Sequence, residues 1–440
     1  MTNYVEYGVV QNSLAYGIAA TVSSYDTLYV ATTGLIYATG TDGIGIFGYS
    51  IATVTIAGQV FGETGIRMNQ DVTTGYGGSA VSVLDGGIVS GTTYGVRMDG
   101  TDNSAMIAGQ VTGGTAIEMF SFDGYGGNTV SVFDGGIVSG DDRGVRMVGT
   151  YNFVLNDGTI SGGTGIYIIG DFSRITNTGT ILSDAVAVWL ETTGGTTLLV
   201  NQGVISSVNY AIFCSGLAED KVVNEGTIIG RIDLGDGNDR LVNNGAIAGT
   251  VWLGGGDDVY DGRLGTIDGE VLGQNGNDRL LGGVGAETLD GGTGNDTLRG
   301  YGGDDSYWVD VLSDFVSEVG GAGEDMITTT VSLDLTATNL RGDIENVTLL
   351  TGAGNLSAFG DGLANELTGN DGANTLNGRE GADSLVGLAG NDVYVVDNLG
   401  DVVDEAAGSG TDTVRSSISF SLAASATTPL GALAATTAIG

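Results

Sequence analysis

The first half of the chain repeats a small residue followed by isoleucine or valine at intervals of roughly 23 residues. This interval is typical of one coil of a parallel β-helix with three strands per coil, so each aliphatic anchor is expected to enter a common core. A second short strand such as GVRM and a third such as AVSVL follow the anchors. The anchors are Val10, Ile36, Val60, Ile88, Val111, Ile137, Ile160, Ile181, Ile205, Ile228, Ile247 and Ile267.

The clearest copy of this pattern relates residues 75–98 to residues 124–147. GYGGSAVSVLDGGIVSGTTYGVRM returns there as GYGGNTVSVFDGGIVSGDDRGVRM, about two coils later. Such self-similarity favours a solenoid, because each coil then buries its apolar face against the next.

A short polar residue also recurs just before the anchors. Stacked coils would bring these residues to one corner, where Asn and Asp side chains bond to each other and to turn backbone. The predicted role is a structural Asx ladder that caps the turns. Its members are Asp85, Asp134, Asn156, Asn177, Asn201, Asn224, Asn243 and Asp261.

One outward position of the second strand carries charged and aromatic residues. The interpretation we favour is a ladder of ion pairs and aromatic contacts between coils, each worth some tenths of a kcal/mol. A groove for an acidic polysaccharide is the alternative. The residues are Arg67, Arg97, Glu118, Arg146 and Tyr167.

The second half changes to a shorter repeat that approximates G-G-x-G-x-D-x-U-x, where U is a bulky apolar residue. Its glycines permit backbone with positive φ, so a six-residue turn can aim its carbonyl oxygens inward while the aspartate adds charge. The apolar residue then enters a narrow core as a short strand. Two such turns on stacked coils can supply the six to eight oxygens that calcium requires. The units are GQNGNDRLL, GGVGAETLD, GGTGNDTLR and GYGGDDSYW at 273–308, and GDGLANELT, GNDGANTLN, GREGADSLV and GLAGNDVYV at 360–395.

A longer module is used twice. GDDSYWVDVLSDFVSEVGG, which begins at residue 303, returns 87 residues later as GNDVYVVDNLGDVVDEAAG from residue 390. The spacer 309–359 alternates polar and apolar residues and is expected to add strands. After Leu422 the second copy breaks off, so the array looks cut short. The matched pairs are Asp305/Asp392, Tyr307/Tyr394, Asp310/Asp397, Glu318/Glu405 and Asp325/Asp412.

Composition narrows the classes of protein that fit. The 440 residues contain 41% hydrophobic residues, which is too much for a disordered polymer, and 81 glycines without a collagen triplet. A formal charge of -39 makes nucleic acid or an anionic membrane a poor partner and cations a good one. Histidine is absent, which excludes Ser-His-Asp and Cys-His catalysis, histidine-based zinc sites and the HExxH peptidases. Cys214 is alone, so no disulfide framework is expected.

The N-terminal sequence MTNYVEYGVVQNS has neither a basic start nor an apolar core. We therefore expect no ordinary signal peptide, and no apolar run is long enough to predict a membrane span.

The nine-residue units resemble the hemolysin-type calcium-binding repeats of the RTX family, over about residues 235–422. This resemblance implies a right-handed β-roll with calcium between coils of about 18 residues. It also implies type I export through an uncleaved C-terminal signal, and therefore a secreted, extracellular or bacterial cell-surface location. The first half resembles β-helical repeats of bacterial surface proteins in period and pattern.

The resemblance also assigns metal ligands, one from the acidic position of each turn. Asn365 and Asn374 replace the acid in two turns, so sites that use them are expected to be weaker or empty. Asp278 is expected to stack on Asp296, and Glu287 on Asp305. The predicted calcium ligands are Asp239, Asp258, Asp278, Glu287, Asp296, Asp305, Asp383 and Asp392.

The predicted fold is all-β, a right-handed parallel β-helix solenoid that continues into RTX calcium β-rolls. The predicted regions are a β-helix at 1–227, transition coils and a first roll at 228–308, a β-rich spacer at 309–359, a second roll at 360–395, a partial second spacer at 396–422 and an Ala/Thr-rich tail at 423–440.

Two functions fit these features. The first is a secreted or surface-displayed structural or adhesive protein, not an enzyme, that folds on calcium and contacts cell-surface polysaccharide or other surface proteins. The second is a polysaccharide-modifying enzyme, an uronate epimerase or lyase, since β-helices joined to RTX modules also occur in such enzymes. The missing histidines and the single lysine, Lys221, disfavour the second function.

Overall fold

Parallel β-strands are the regular elements of this protein. A computed structural model describes residues 2–5, 9–12, 18–39, 42–69, 78–405, 409–420 and 434–437. These residues form an all-β solenoid of stacked parallel strands, which confirms the predicted fold class. Two compact units divide the chain, an N-terminal unit, Met1–Leu253, and a C-terminal unit, Gly254–Gly440. None of the described segments is a helix with the length and apolarity needed to span a membrane.

One sheet of the N-terminal unit stacks the strands that precede the anchors. Each strand pairs in parallel with the equivalent strand of the next coil, for example Thr129–Val132 with Phe153–Asn156. The strands in spatial order are Thr2–Val5, Thr27–Val30, Thr53–Ile56, Ala80–Val83, Ser104–Ile107, Thr129–Val132, Phe153–Asn156, Arg174–Asn177, Thr197–Asn201, Asp220–Asn224 and Arg240–Asn243.

The rest of each coil is mostly one long strand. The sequence predicted two short strands here, but the anchor and second strand run on as a single bent strand with a local register shift, as between Ser90 and Tyr94. The long strands are Gln59–Met68, Ile88–Asp99, Gln110–Tyr125, Ile137–Thr150, Thr159–Ile169, Thr180–Glu191, Val204–Ser215 and Thr227–Asp233. The segment is divided at both ends of the unit, into Val9–Asn12 and Ile18–Val22, Leu35–Ala38 and Ile44–Gly48, and Ala246–Ala248 and Val251–Gly255.

The anchors form a continuous aliphatic layer, with two corrections. Val60 pairs in register with Val89, and Val111 pairs with Val138, and all four side chains are buried. The predicted anchors Ile88 and Ile137 therefore lie one residue too early and face outward. In these two coils the turn ends in two glycines, so the first residue after it points away from the core and the second points inward.

Ile267 is also not a core anchor. It lies in the short strand Thr266–Asp268 and is only half-buried. Val10 pairs in register with Ile36, although the side chain of Val10 lies outside the described residues.

An Asx ladder is present in the last coils of the N-terminal unit. Each buried amide nitrogen donates to the amide oxygen of the next coil, so every link satisfies two polar groups inside the protein. The links are Asn156 to Asn177 at 2.7 Å, and Asn177 to Asn201, Asn201 to Asn224 and Asn224 to Asn243, each at 2.8 Å.

The three aspartates predicted for this ladder do not belong to it. Asp85 and Asp134 are exposed, because the coil places Val83 and Val132 in the ladder column, two residues earlier. Asp261 is half-buried and accepts two hydrogen bonds from the Arg263 guanidinium, each at 2.8 Å.

The outward column of charged and aromatic residues is a ladder between coils. Arg97 and Arg146 both bind Glu118, at 3.2 Å and 2.7 Å. The Arg146 guanidinium carbon lies 6.0 Å from the centre of the Tyr167 ring, and the centre of that ring lies 4.8 Å from the centre of the Trp189 ring, with the two planes tilted by 38°. These contacts agree with the structural interpretation of the column.

The C-terminal unit contains three stacks of short parallel strands. The first is Val259–Asp261, Arg279–Leu281, Thr297–Arg299, Phe315–Glu318 and Leu340–Gly342. The second is Glu270–Asn275, Thr288–Asp290, Ser306–Val309, Met326–Thr329, Asn346–Leu349, Glu366–Thr368, Ser384–Val386 and Val402–Asp404. The third is Leu333–Asp334, Ser357–Phe359, Thr375–Asn377, Val393–Val396, Thr413–Ser416 and Ala434–Thr437. Strands of the spacer therefore pair directly with strands of both repeat sets.

Candidate metal centre

Each nine-residue unit folds as a glycine-rich turn followed by a three- or four-residue strand. In the unit 291–299 the fourth residue, Gly294, has φ of 144°, and a Cβ there would lie 1.6 Å from the carbonyl oxygen of Gly276. Only glycine fits this position, which lets successive turns stack closely. The strand Thr297–Arg299 follows and places Leu298 in the core with no exposed surface.

The acidic residue that ends each turn is buried and bonded to the turn next to it. The backbone N–H of Asp258 donates to Oδ1 of Asp278 at 2.8 Å, and that of Asp278 donates to Oδ1 of Asp296 at 2.8 Å. The N–H of Asp296 continues the column to Oδ1 of Asp314 at 3.0 Å. Four carboxylates therefore stand one above another along one corner, and Asp278 stacks on Asp296 as predicted.

The opposite corner carries a second acidic column. The N–H of Glu287 donates to Oδ1 of Asp305, the N–H of Asp305 to Oδ1 of Asp325, and the N–H of Asp325 to Oε2 of Glu345, each at 2.8 Å. The column contains no asparagine between Glu287 and Glu345, so its negative charge is continuous.

The second repeat set follows the same geometry with less charge. The side-chain amides of Asn365 and Asn374 donate to backbone oxygens of Ile344 and Leu356, each at 3.2 Å, so amide nitrogens stand where other turns have carboxylate oxygens. The stacking bonds run from Asn365 to Asp383 (2.9 Å), Asp383 to Asp401 (3.2 Å), Asn374 to Asp392 (2.8 Å) and Asp392 to Asp412 (2.9 Å).

In five of the stacked aspartates one carboxylate oxygen accepts this bond and the other is unpaired. Their Oδ2 atoms are buried and have no hydrogen-bond partner among the described residues, although buried polar atoms are normally bonded. A Cβ on Gly291, the first residue of its turn, would lie 2.3 Å from Oδ2 of Asp296, so the glycine keeps space open beside that oxygen. The aspartates with such an oxygen are Asp278, Asp296, Asp305, Asp383 and Asp392.

Burial makes these carboxylates hard to ionise. It raises the pKa of Asp278 to about 6, and burial together with the charges of neighbouring aspartates raises the pKa of Asp296 to about 7. Burial and the neighbouring charge of Glu287 also raise the pKa of Asp305 above its usual value. A bound cation would remove this cost, because it returns the charged form to a favourable environment.

Two predicted ligands, Asp239 and Asp258, lie in different units. Asp239 is buried in the N-terminal unit, where its Oδ1 accepts the N–H of Asp220 at 2.6 Å. Asp258 is buried at the start of the first acidic column of the C-terminal unit. Glu287 is buried as well, and its Oε2 accepts the N–H of Gly283 at 3.1 Å.

Sequence reasoning missed several acidic residues of the columns. Asp314 and Asp401 follow Asp296 and Asp383 by 18 residues, the period of the roll, so the spacing alone could have found them. Asp325 and Asp412 were recognised only as a matched pair of the repeated module. Their position 20 residues after Asp305 and Asp392 was the missed signal.

This chemistry fits a hard divalent cation. The available donors are carboxylate and carbonyl oxygens, whereas zinc sites are built from histidine and cysteine. The chain has no histidine, and its single cysteine, Cys214, is buried in the N-terminal unit. The stacked aspartates of the C-terminal unit are therefore the residues that would hold calcium.

Comparison with known families agrees with this geometry. The family described as RTX calcium-binding nonapeptide repeat matches residues 281–316 and 359–394, in four copies. No curated protein matches the chain. The matched segments contain the second to fourth units of the first set and nearly all of the second set. The chain therefore carries RTX calcium-binding repeats, set in a parallel β-solenoid, and its cofactor is Ca²⁺.

Proposed function

We propose that this protein is a secreted or cell-surface structural or adhesive protein whose C-terminal unit folds when it binds calcium outside the cell. The observation that carries the proposal is the pair of buried acidic columns with leftover carboxylate oxygens. Among the described residues, no arginine or lysine forms an ion pair with Asp278, Asp296 or Asp305. Without a cation, the folded roll holds like charges together in a poorly solvated site.

Because of this cost, folding of the C-terminal unit would depend on the calcium concentration. A metal that binds only the folded state stabilises it in proportion to the logarithm of the metal concentration. Where calcium is scarce, repulsion between carboxylates keeps the roll unfolded, as export through a type I channel requires. Where calcium is abundant, calcium binding stabilises the folded roll.

A calcium titration of the whole chain tests this dependence. Extracellular calcium modules have dissociation constants of about 10⁻⁴ to 10⁻³ M, and we expect the rise in far-UV strand signal to have its midpoint in that range. A midpoint in the submicromolar range of cytosolic buffer proteins would contradict the proposal, because the chain would then fold before export.

The proposed adhesive surface lies on the N-terminal unit. Tyr151 and Phe172 stack with ring centres 5.1 Å apart while 58% and 49% of each residue stays exposed. Exposed aromatic faces bury area at low entropic cost, and they suit sugar rings or another protein surface. The double variant Tyr151→Ala/Phe172→Ala should lower binding to immobilised cell-surface polysaccharide, whereas Tyr25→Ala, another exposed tyrosine, should not.

We also propose that the chain is not an enzyme. The charged residues of the outward column are engaged with each other, since Glu118 is held by both Arg97 and Arg146. Incubation with alginate and pectate is the test, and we expect neither unsaturated products nor epimerised residues. Turnover of either polymer would establish the alternative function as an epimerase or lyase.

A further inference from the structure

A glutamate occupies a core position at the end of the first repeat set. In the strand Phe315–Glu318, Val316 and Glu318 face the same way because side chains alternate along a strand, and both are buried. Only 3% of Glu318 is exposed, and neither of its carboxylate oxygens has a hydrogen-bond partner among the described residues. Burying a carboxylate without a partner costs free energy, and a bound cation would offset this cost.

Two aspartates of the second acidic column lie beside this glutamate. One carboxylate oxygen each from Asp305, Glu318 and Asp325 lie within 4.8 Å of one another. Oxygens that share one calcium ion at 2.3–2.6 Å lie at most about 5 Å apart, so the three can bind the same ion. Oδ2 of Asp305 is among the buried oxygens without a partner.

The surrounding backbone passes close to these carboxylates. A Cβ on Gly300 would lie 1.9 Å from Oδ2 of Asp305, and a Cβ on Gly321 would lie 2.4 Å from Oε2 of Glu318. Glycine at both positions therefore lets the chain pass close to the carboxylates, where carbonyl oxygens can complete the shell of ligands.

The arrangement occurs twice. Asp392, Glu405 and Asp412 are the matching residues of the second module, and their carboxylate oxygens also lie within 4.8 Å of one another. In this copy Glu405 is half-buried and accepts a hydrogen bond from the hydroxyl of Tyr394. Duplication of all three acids, across spacers that differ elsewhere, indicates that they act as a set.

We propose that each module has a calcium site closed by a glutamate from outside the nonapeptide repeats, Glu318 in the first module and Glu405 in the second. Each site joins the last turn of a repeat set to the strand and turn that follow it. The inference rests on the calcium binding proposed above and adds two three-carboxylate sites to it. Three charged ligands should make these sites stronger than those that contain Asn365 or Asn374.

The test is calcium stoichiometry by equilibrium dialysis on the whole chain, with charge-neutral variants of nearly the same shape. Glu318→Gln and Glu405→Gln should each bind about one calcium ion fewer than the parent at a free calcium concentration that saturates the parent, and the double variant about two fewer. Glu324→Gln is the matched control, since it makes the same change at an exposed residue of the same turn.

Thermal melts in excess chelator test whether Glu318 is a calcium ligand or has only a structural role. Removing a buried charge should raise the melting temperature of Glu318→Gln without calcium and reduce the increase that calcium produces. Unchanged stoichiometry in Glu318→Gln, or a lower melting temperature in chelator, would overturn this inference alone. A parent chain that binds no calcium would overturn the proposed function together with it.

Discussion

At the scale of single residues, the two carboxylate oxygens of a stacked aspartate such as Asp296 differ in their contacts. Oδ1 of Asp296 accepts the N–H of Asp278 and fixes the spacing of the turns, while its Oδ2 is left for a cation. An asparagine brings no charge to such a cation. In Asn365 and Asn374 the side-chain oxygen accepts an N–H of its own turn, and the amide nitrogen donates to a backbone oxygen of the preceding coil.

Calcium affinity should therefore depend on the charge of each column. Asp296→Asn keeps the Oδ1 acceptor but lowers the charge of a column that contains four aspartates. The calcium concentration at half-saturation should therefore rise about tenfold. Asp383→Asn acts next to Asn365, where the site is already weaker, and should raise this concentration less. Isothermal titration measures both, with the exposed Asp268→Asn as control. A larger effect of Asp383→Asn would show that the second set holds the principal sites.

The converse change should strengthen a site. Asn374→Asp restores the acid that the repeat pattern expects and places it next to Asp392 in the stack. We expect tighter calcium binding in titration and a lower melting temperature in chelator, because the new buried charge has no partner without metal. A variant that binds calcium no better than the parent would contradict the ranking of sites by charge.

Without calcium, stability should fall as pH rises. Burial raises the pKa of Asp278 and Asp383 to about 6 and that of Glu318 to about 8, above the value of about 4 expected in an unfolded chain. A raised folded-state pKa of an acid leaves stability intact below the unfolded value and lowers it progressively up to the folded value. Thermal melts in chelator at pH 5 and pH 8 should show the higher melting temperature at pH 5.

Saturating calcium should remove most of this pH dependence, because the ligands then stay ionised in both conditions. A calcium-free protein that melts at the higher temperature at pH 8 would show that the acidic columns do not control its stability.

The sequence predicted site residues best at positions where the repeat pattern allows only one chemical role. The acidic position of the repeat placed Asp278, Asp296 and Asp305 correctly in stacks, because turn and strand lengths leave no other register. Glu318 was seen only as a member of a matched pair. Its spacing from other acids carries no periodic signal, and only the fold brings its side chain next to Asp305.

At the scale of elements, close stacking of turns depends on glycine at particular positions. Gly294 and Gly285 are both fourth residues of their units, yet only Gly294 has a positive φ and a Cβ position blocked by backbone. A Cβ on Gly285 would meet nothing closer than the flexible carboxylate of Glu287, at 3.3 Å. The two positions make a matched pair for substitution.

Gly294→Ala should strongly lower the melting temperature with calcium present, since strained backbone costs about 1–3 kcal/mol before the clash is counted. Gly285→Ala should have a much smaller effect in the same thermal melts. Equal melting temperatures for the two variants would mean that turn geometry does not limit stacking in this roll.

The N-terminal coils use asparagine where the roll uses aspartate. Asn128 Oδ1 accepts the N–H of Asn103 at 3.0 Å, the same bond that aspartates make in the acidic columns. The amide of Asn201 links Asn177 to Asn224 in the separate Asx ladder, with both bonds at 2.8 Å. These columns stack through neutral amide groups, so they hold no charge for a metal to neutralise, although Nδ2 of Asn103 and of Asn128 has no hydrogen-bond partner among the described residues.

Asn201→Ala should therefore destabilise the N-terminal unit by about 2 kcal/mol, because neighbouring buried amides lose their partners. The loss should be the same with calcium and in chelator, measured by chemical denaturation followed by tryptophan fluorescence from Trp189. Asn209→Ala, at an exposed asparagine, is the control. A loss of stability that appears only in chelator would contradict the claim that the amide columns stabilise the N-terminal unit independently of calcium.

Element boundaries were harder to predict than element type. The period located the coils, but the Gly-Gly-Ile-Val copies shifted the predicted anchors to Ile88 and Ile137 by one residue. A glycine pair allows the turn to end at either residue, and only pairing with Val60 and Val111 decides which side chain faces inward. In the same coils the turn before the anchor is two residues longer than the turn that follows Asn156, and this placed Asp85 and Asp134 in the wrong column.

At the scale of the whole molecule, two units of one architecture obtain stability from different sources. The N-terminal unit buries a continuous aliphatic layer and neutral amide columns, whereas the C-terminal unit has a narrow core flanked by buried carboxylates. Composition and period were sufficient to predict both kinds of solenoid. They could not show which acids share an ion, because that depends on the stacking of residues distant in sequence.

Hydrogen–deuterium exchange of the whole chain, with calcium and with excess chelator, tests the central claim most directly. Backbone protection of the strands between Arg279 and Val396 should appear only with calcium, because the metal stabilises the folded roll alone. The strands between Ile88 and Asn224 should be protected in both conditions. Equal protection of the C-terminal strands in chelator would contradict the account, since the acidic columns would then hold together without a cation.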